Sequence, residues 1–102
     1  MTKKYKNSVP LEDFMVDYLQ DKRRAKGFLN VSLESYLEDG NINEFLHSLE
    51  LVLKARQSIK SFSEEAKLNR SNLYAIFKGK SKPQMHTVLK ILSQMGYKLK
   101  VA

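Results

Sequence analysis

The sequence predicts an all-α fold of five to six helices ending in one short β-strand, and three observations carry that prediction. Apolar residues recur at three- and four-residue steps along most of the chain, the spacing that lines one face of a helix. Gly40, Gly79 and Gly96 each stand just past such a run, where a left-handed residue ends a helix without strain. Only residues 97–102 alternate with period two, Tyr97, Leu99 and Val101 against Lys98 and Lys100, as in a half-buried strand. The 102 residues, 42% hydrophobic and 28% charged, suffice for one globular domain with a modest core.

Residues 1–9 are polar and lysine-rich and read as a flexible basic arm ahead of a single helical domain spanning 10–102. Pro10 suits the first turn of a helix, where its missing amide donor costs nothing. Leu11, Phe14, Met15, Tyr18 and Leu19 follow at three- and four-residue steps, the helical period. QDKRRAK, 20–26, interrupts before a second helix resumes through Phe28, Leu29, Val31, Leu33, Tyr36 and Leu37 and stops at Gly40. Asn41 or Asn43 caps a third helix, which carries Ile42, Phe45, Leu46, Leu49, Val52 and Leu53 on one face and runs to about Arg56. Ser58 caps a short fourth helix with Ile59, Phe62, Ala66 and Leu68 inward. Asn69 caps a fifth, in which Leu73, Ile76 and Phe77 pack and which Gly79 stops. A sixth has Pro83 near its start, Val88, Leu89, Leu92 and Met95 inward, and Gly96 at its end.

Composition removes several classes of function. There is no cysteine, so disulfides, a zinc ribbon and a thiol nucleophile are excluded, and a reducing compartment is suited. The lysines near the start are followed by the acids of LEDFMVDYLQD in place of an apolar stretch, so no signal peptide is expected. No apolar run approaches a membrane span, and the expected location is cytoplasmic. The net charge of +7 is sorted along the chain: +3 over residues 1–30, −5 over 31–53, and +9 over 54–102. A basic half of that size is the footprint of a polyanion binder, or else a solubility device. The acidic middle suggests a second surface, facing a dimer mate or a partner.

Residues 58–79 place two short helices on either side of Lys67, Leu68 and Asn69, the layout of a helix-turn-helix if the turn is tight. Ala66 is small where the first helix approaches the second, and Leu68 plugs the space beneath the turn. Lys67 stands where many such motifs have Gly, and an L-residue takes that geometry only at some cost. Arg70, Ser71 and Asn72 are left at the open N-terminal end of the second helix, whose amides and dipole favour a phosphate or an electron-rich base edge.

The run from Phe62 to Val101, FSEEAKLNRSNLYAIFKGKSKPQMHTVLKILSQMGYKLKV, resembles the addiction-module antidote family, the HigA-type antitoxins of the Cro/repressor (XRE) helix-turn-helix superfamily. Glu64, Glu65, Leu68, Arg70, Leu73, Tyr74, Pro83, Leu89, Gly96 and Leu99 carry the likeness. DYLQD and SYLEDGNINEFLHSLELVLKAR upstream resemble the family's acidic helical leader, so the likeness runs from about residue 17 to the end. Departures are Lys67 for Gly, Asn69 for Ser as cap, and Asn72 and Ala75 in the second helix. They bear on the DNA sequence read more than on the fold. The resemblance implies a lambda-repressor-like helix-turn-helix domain with a short C-terminal β-strand. It also implies the antitoxin of a type II toxin-antitoxin module, a homodimer that binds double-stranded DNA at its own promoter and neutralises a RelE/HigB-like toxin. The alternatives are an orphan regulator without a toxin, and a protein-interaction antidote with little DNA binding.

Arg70 is a cation placed against the helix dipole, which points to an external anion or to the O6 and N7 of guanine. Ser71 and Asn72 each suit a base or a phosphate, and Asn72 equally suits local capping. Ala75, one turn past Ser71, suits a thymine methyl or close approach. Tyr74 either extends its hydroxyl to a phosphate or half-packs its ring. Lys78, Lys80 and Lys82 follow the helix where related folds contact backbone phosphates, adding salt-sensitive affinity without sequence information. Lys60 and Ser61, in the first turn of the preceding helix, meet a flanking phosphate in the standard docking. Tyr97, Leu99 and Val101 are candidates for a dimer or toxin interface through an exposed strand edge. No catalytic residue, metal site or cofactor is expected: His47 and His86 lack ligand spacing, and Glu64 and Glu65 read as a solvated face.

Overall fold

The structure, a computed structural model, describes residues 10–101. The expected basic arm, 1–9, and Ala102 lie outside the described residues. The described residues form α1 (Pro10–Tyr18), α2 (Lys22–Asp39), α3 (Ile42–Lys54), α4 (Ile59–Ala66), α5 (Arg70–Phe77) and α6 (Met85–Gln94). They divide into two compact units, one ending at Ser58 and one starting at Ile59.

In the N-terminal unit α2 and α3 pack along one another, and α1 packs on α3. Gly40 makes the reversal: its φ is 70°, and its amide donates to the Tyr36 carbonyl at 2.7 Å. Asn41 is the cap of α3, accepting from the Glu44 amide at 3.3 Å. Ala25 and Leu29 of α2 are buried together with Phe45, Leu46, Leu49, Val52 and Leu53 of α3. The break between α1 and α2 is shorter than QDKRRAK suggested. Asp21 caps α2, accepting from the amides of Arg23 at 2.8 Å and Arg24 at 3.1 Å, so the basic run belongs to the helix.

The apolar residues of α1 do not all turn inward. Leu11 and Phe14 are 71% and 60% exposed, whereas Asp13, Val16 and Leu19 are buried. Both sets have helical spacing, and spacing alone does not say which one meets α3. Glu12 stands beside the buried stripe, its carboxylate paired with Lys54 of α3 at 3.1 Å.

In the C-terminal unit α4 and α5 pack together across the turn 67–69. Ile59, Phe62, Ala66, Leu73, Ile76 and Phe77 are buried, as their spacing predicted. Three helices of this unit end in the same device, a left-handed residue with two backward amide bonds. Lys67 and Leu68 donate to Glu64 and Ser63 at 3.4 and 2.9 Å; Gly79 and Lys80 donate to Ile76 and Ala75 at 3.1 and 2.9 Å. Gly96 and Tyr97 donate to Ser93 and Leu92, both at 2.9 Å. Lys67, at φ 56°, is the only described residue other than glycine with positive φ.

Two further expectations are corrected. On α6 the buried residues are Ile91 and Leu92, followed by Met95, while Leu89 is exposed. Leu89 lies two positions from Ile91, about 200° around the helix. Among the described residues there is no strand, and 97–101 have no regular structure. A strand needs a neighbour to complete its hydrogen-bond ladder, and no described segment of this chain supplies one. Leu99 and Val101 are accordingly exposed, and Tyr97 is half-buried.

Candidate nucleic-acid interface

The turn at 67–69 presents the start of α5. Asn69 is extended and its side chain accepts from the Asn72 amide at 2.9 Å. The cap is therefore Asn69, and the Asn72 side chain is exposed beside it. Leu73, Ile76 and Phe77 turn inward. At about 100° per residue, the opposite line of α5 runs through Ser71, Ala75 and Lys78, with Tyr74 beside it and Arg70 and Asn72 at its flanks. Arg70, Ser71, Asn72, Tyr74 and Lys78 are exposed, and Ala75 is half-buried. The centre of this face is thus Ser71 and Lys78, and Arg70 stands at its edge.

The loop after α5 folds back on the helix. The Ala75 carbonyl accepts from the amides of Lys80 at 2.9 Å and Ser81 at 3.3 Å. That turn keeps Lys80 beside the end of α5, and Lys80 and Lys82 are exposed. Lys60 and Ser61 stand at the far end of α4 from the turn, Lys60 exposed and Ser61 half-buried. From Ala66 to the end the sequence contains eight basic residues and no Asp or Glu. A positive field without local acids suits a polyanion.

A groove of about 310 Å³ opens beside this face, lined among others by Asn69, Asn72, Ser81, Lys82, Gln84 and Thr87. Ser81, Gln84 and Thr87 are polar groups that the sequence reading did not single out. Their signal was the polar run on both sides of Pro83, which reads locally as an ordinary loop. His47 lies 3.5 Å from Glu50, and His86 is exposed near the start of α6. The described residues contain no group of three His, Cys, Asp or Glu arranged to hold a metal. Among the same residues no helix is long and apolar enough to cross a membrane.

The chain has no significant match among curated proteins or among solved structures. Residues 11–102 match the family described as "Probable addiction module antidote protein", a span that takes in all but the first residue of α1 and every later helix. An antidote acts against a toxin, so the match implies a toxin partner. The chain therefore belongs to the family of probable addiction module antidote proteins.

Proposed function

We propose that this antidote is a cytoplasmic, sequence-specific DNA-binding regulator that represses its own promoter as a homodimer. In this reading it also neutralises a RelE/HigB-like toxin of a type II module. The observation that carries the DNA part is the start of α5: a cluster of Arg70, Ser71 and Asn72, all exposed, beside the Asn69 cap on a helix without acids. Arg70 reaches a guanine edge or a phosphate, Ser71 and Asn72 read or position, and Ala75 lets the helix approach closely. Lys78, Lys80 and Lys82 hold phosphates, with Lys60, Ser61 and Tyr74 as lesser contacts.

The toxin part draws support from the family and from the exposed Leu99 and Val101. A segment outside any helix, with alternating apolar side chains, suits addition to the edge of a partner's sheet. Tyr97 anchors that segment, since its amide bonds Leu92 at 2.9 Å. The deciding experiment is a mobility-shift titration with DNA from upstream of the protein's own gene at moderate salt. Saturable binding that survives excess unrelated DNA supports the regulator. Absence of any shift leaves an antidote that acts by protein contact alone.

A further inference from the structure

The helix α2 is the longest among the described residues, and apart from its Asp21 cap its charges oppose its own dipole at both ends. Lys22, Arg23, Arg24 and Lys26 occupy its first turns, where outward amides favour anions. Glu34, Glu38 and Asp39 occupy its last turns, where free carbonyls favour cations. Its first turn has no acid and its last turn no base. Two of these charges have local work: Arg24 lies 4.8 Å over the Tyr18 ring, and Asp39 accepts from the Asn41 amide at 2.8 Å. Arg23, Glu34 and Glu38 are exposed.

The inner line of α2 is Ala25 and Leu29, with Phe28, Ser32, Leu33 and Tyr36 half-buried. Opposite it, at about 100° per residue, lie Arg23, Gly27, Asn30, Val31, Glu34 and Glu38. Val31 is 61% exposed, and Leu37 at the edge of this face is 75% exposed. Gly27 sits in the middle of the face. A Cβ there meets nothing within 4 Å, so packing inside the chain does not call for glycine. Mid-helix glycine weakens a helix relative to alanine, and what it permits is close approach of a second backbone.

We propose that the outer face of α2 is the contact between two copies of this chain, related by a two-fold axis with the helices antiparallel. That arrangement brings the basic start of each α2 to the acidic end of the other, twice over by symmetry. It also adds a carboxylate beside the Asp21 cap at each amide end and a cation at each carbonyl end, which has none of its own. With the axis crossing between Asn30 and Val31, Arg23 falls level with Glu38 and Gly27 with Glu34. The two Val31 side chains then meet near the centre. A basic foreign partner engages only the acidic end and leaves the basic end and Gly27 without a role. This contact gives a surface to the homodimer of the preceding reading and does not depend on DNA binding.

The test is sedimentation of the full chain as wild type, Arg23→Glu, Glu38→Arg and the double swap. The wild type dimerises with a Kd that rises with salt, and each single reversal raises that Kd by roughly tenfold or more. The double swap returns it to within about threefold of wild type. Each reversal places a favourable charge at its helix end, so melting at concentrations where the wild type is monomeric does not fall, which separates lost contact from lost fold. A wild type that stays monomeric at about 100 μM overturns the proposal. So does a dimer indifferent to the single reversals, or a swap that fails to rescue. Reversals that weaken capture of the toxin and leave self-association unchanged also overturn it and assign the face to the toxin. Mobility shifts on the same samples keep the DNA reading separate, since Arg70→Ala leaves the dimer intact.

Discussion

The ammonium of Lys54 donates to the carboxylate of Glu12 at 3.1 Å, joining α3 to α1 across 42 positions of sequence. The same ammonium lies 3.5 Å from Glu50, whose side chain is 3% exposed. Burial works against the Lys54 charge, but the hydrogen bond to Glu12 and the fields of Glu50 and Glu12 outweigh it, and its pKa is raised. A raised pKa in the folded state means a stabilisation fully present below the unfolded value, near 10.4, and lost only as pH climbs through the folded one.

Lys54→Ala accordingly leaves Glu50 buried without this cation. The expected loss is about 1–2 kcal/mol at neutral pH, below the value for a fully buried pair because Lys54 is one-third exposed and screened. Urea unfolding at pH 7 measures it. Repeating the comparison in a Glu50→Gln background should shrink the difference, because a neutral side chain no longer needs the cation. An undiminished difference there would point to lost packing of the lysine stem instead.

Lys67 holds a left-handed conformation that glycine adopts freely. Lys67→Gly should raise stability by about 1 kcal/mol, seen as a higher urea midpoint at unchanged slope. The turn is already closed by the bonds from Lys67 and Leu68, so operator affinity should change little beyond the loss of one charge. A destabilised variant would show that the lysine side chain supports the turn in some other way.

Asn69→Ala removes the acceptor for the Asn72 amide and should cost about 1 kcal/mol. Fraying is then confined to the start of α5, where Arg70, Ser71 and Asn72 stand. Amide exchange should quicken at 70–72 ahead of the rest of the helix, and operator affinity should fall with it. Equal protection in variant and wild type would refute the capping account.

Arg70→Ala and the triple change Lys78, Lys80 and Lys82→Ala separate reading from holding. The first should weaken operator binding by about 1–3 kcal/mol and relax base preference at one position of each half-site. The second should weaken binding to all DNA alike and flatten the dependence of affinity on salt. Titrations at several salt concentrations, against operator and scrambled duplexes, distinguish the two.

Removing 98–102 deletes the exposed Leu99 and Val101 while leaving the Tyr97 amide bond that ends α6. Neutralisation of the toxin should fall, with the dimer and operator binding retained. If growth rescue in a toxin-expressing strain is undiminished, the segment is not the toxin contact.

The helices and their stops were legible in the sequence because both are local. The αL residues at 40, 79 and 96, the Asn69 cap and the buried set Leu73, Ile76 and Phe77 each depend on neighbours within about one turn, whereas the choice of Asn41 over Asn43 as cap came from the structure. Even the strained Lys67 followed from its place in the turn. The start of α5 as a polar, acid-free end was legible for the same reason. Tertiary structure decided which of two helical stripes on α1 faces inward, since α1 packs on α3, whose Lys54 bonds Glu12 from 42 positions away. It turned Leu89 outward and left 97–101 without a ladder, because a strand is defined by what lies beside it and not by its own alternation. It also set Ser71 and Lys78 at the centre of the α5 face and Arg70 at its edge, since a side chain's direction is measured from the buried line of the helix. And it exposed Val31 and Leu37 of α2, two of the apolar residues by which that helix is recognised: sequence spacing reports that a helix has a face, and only packing says which face is taken.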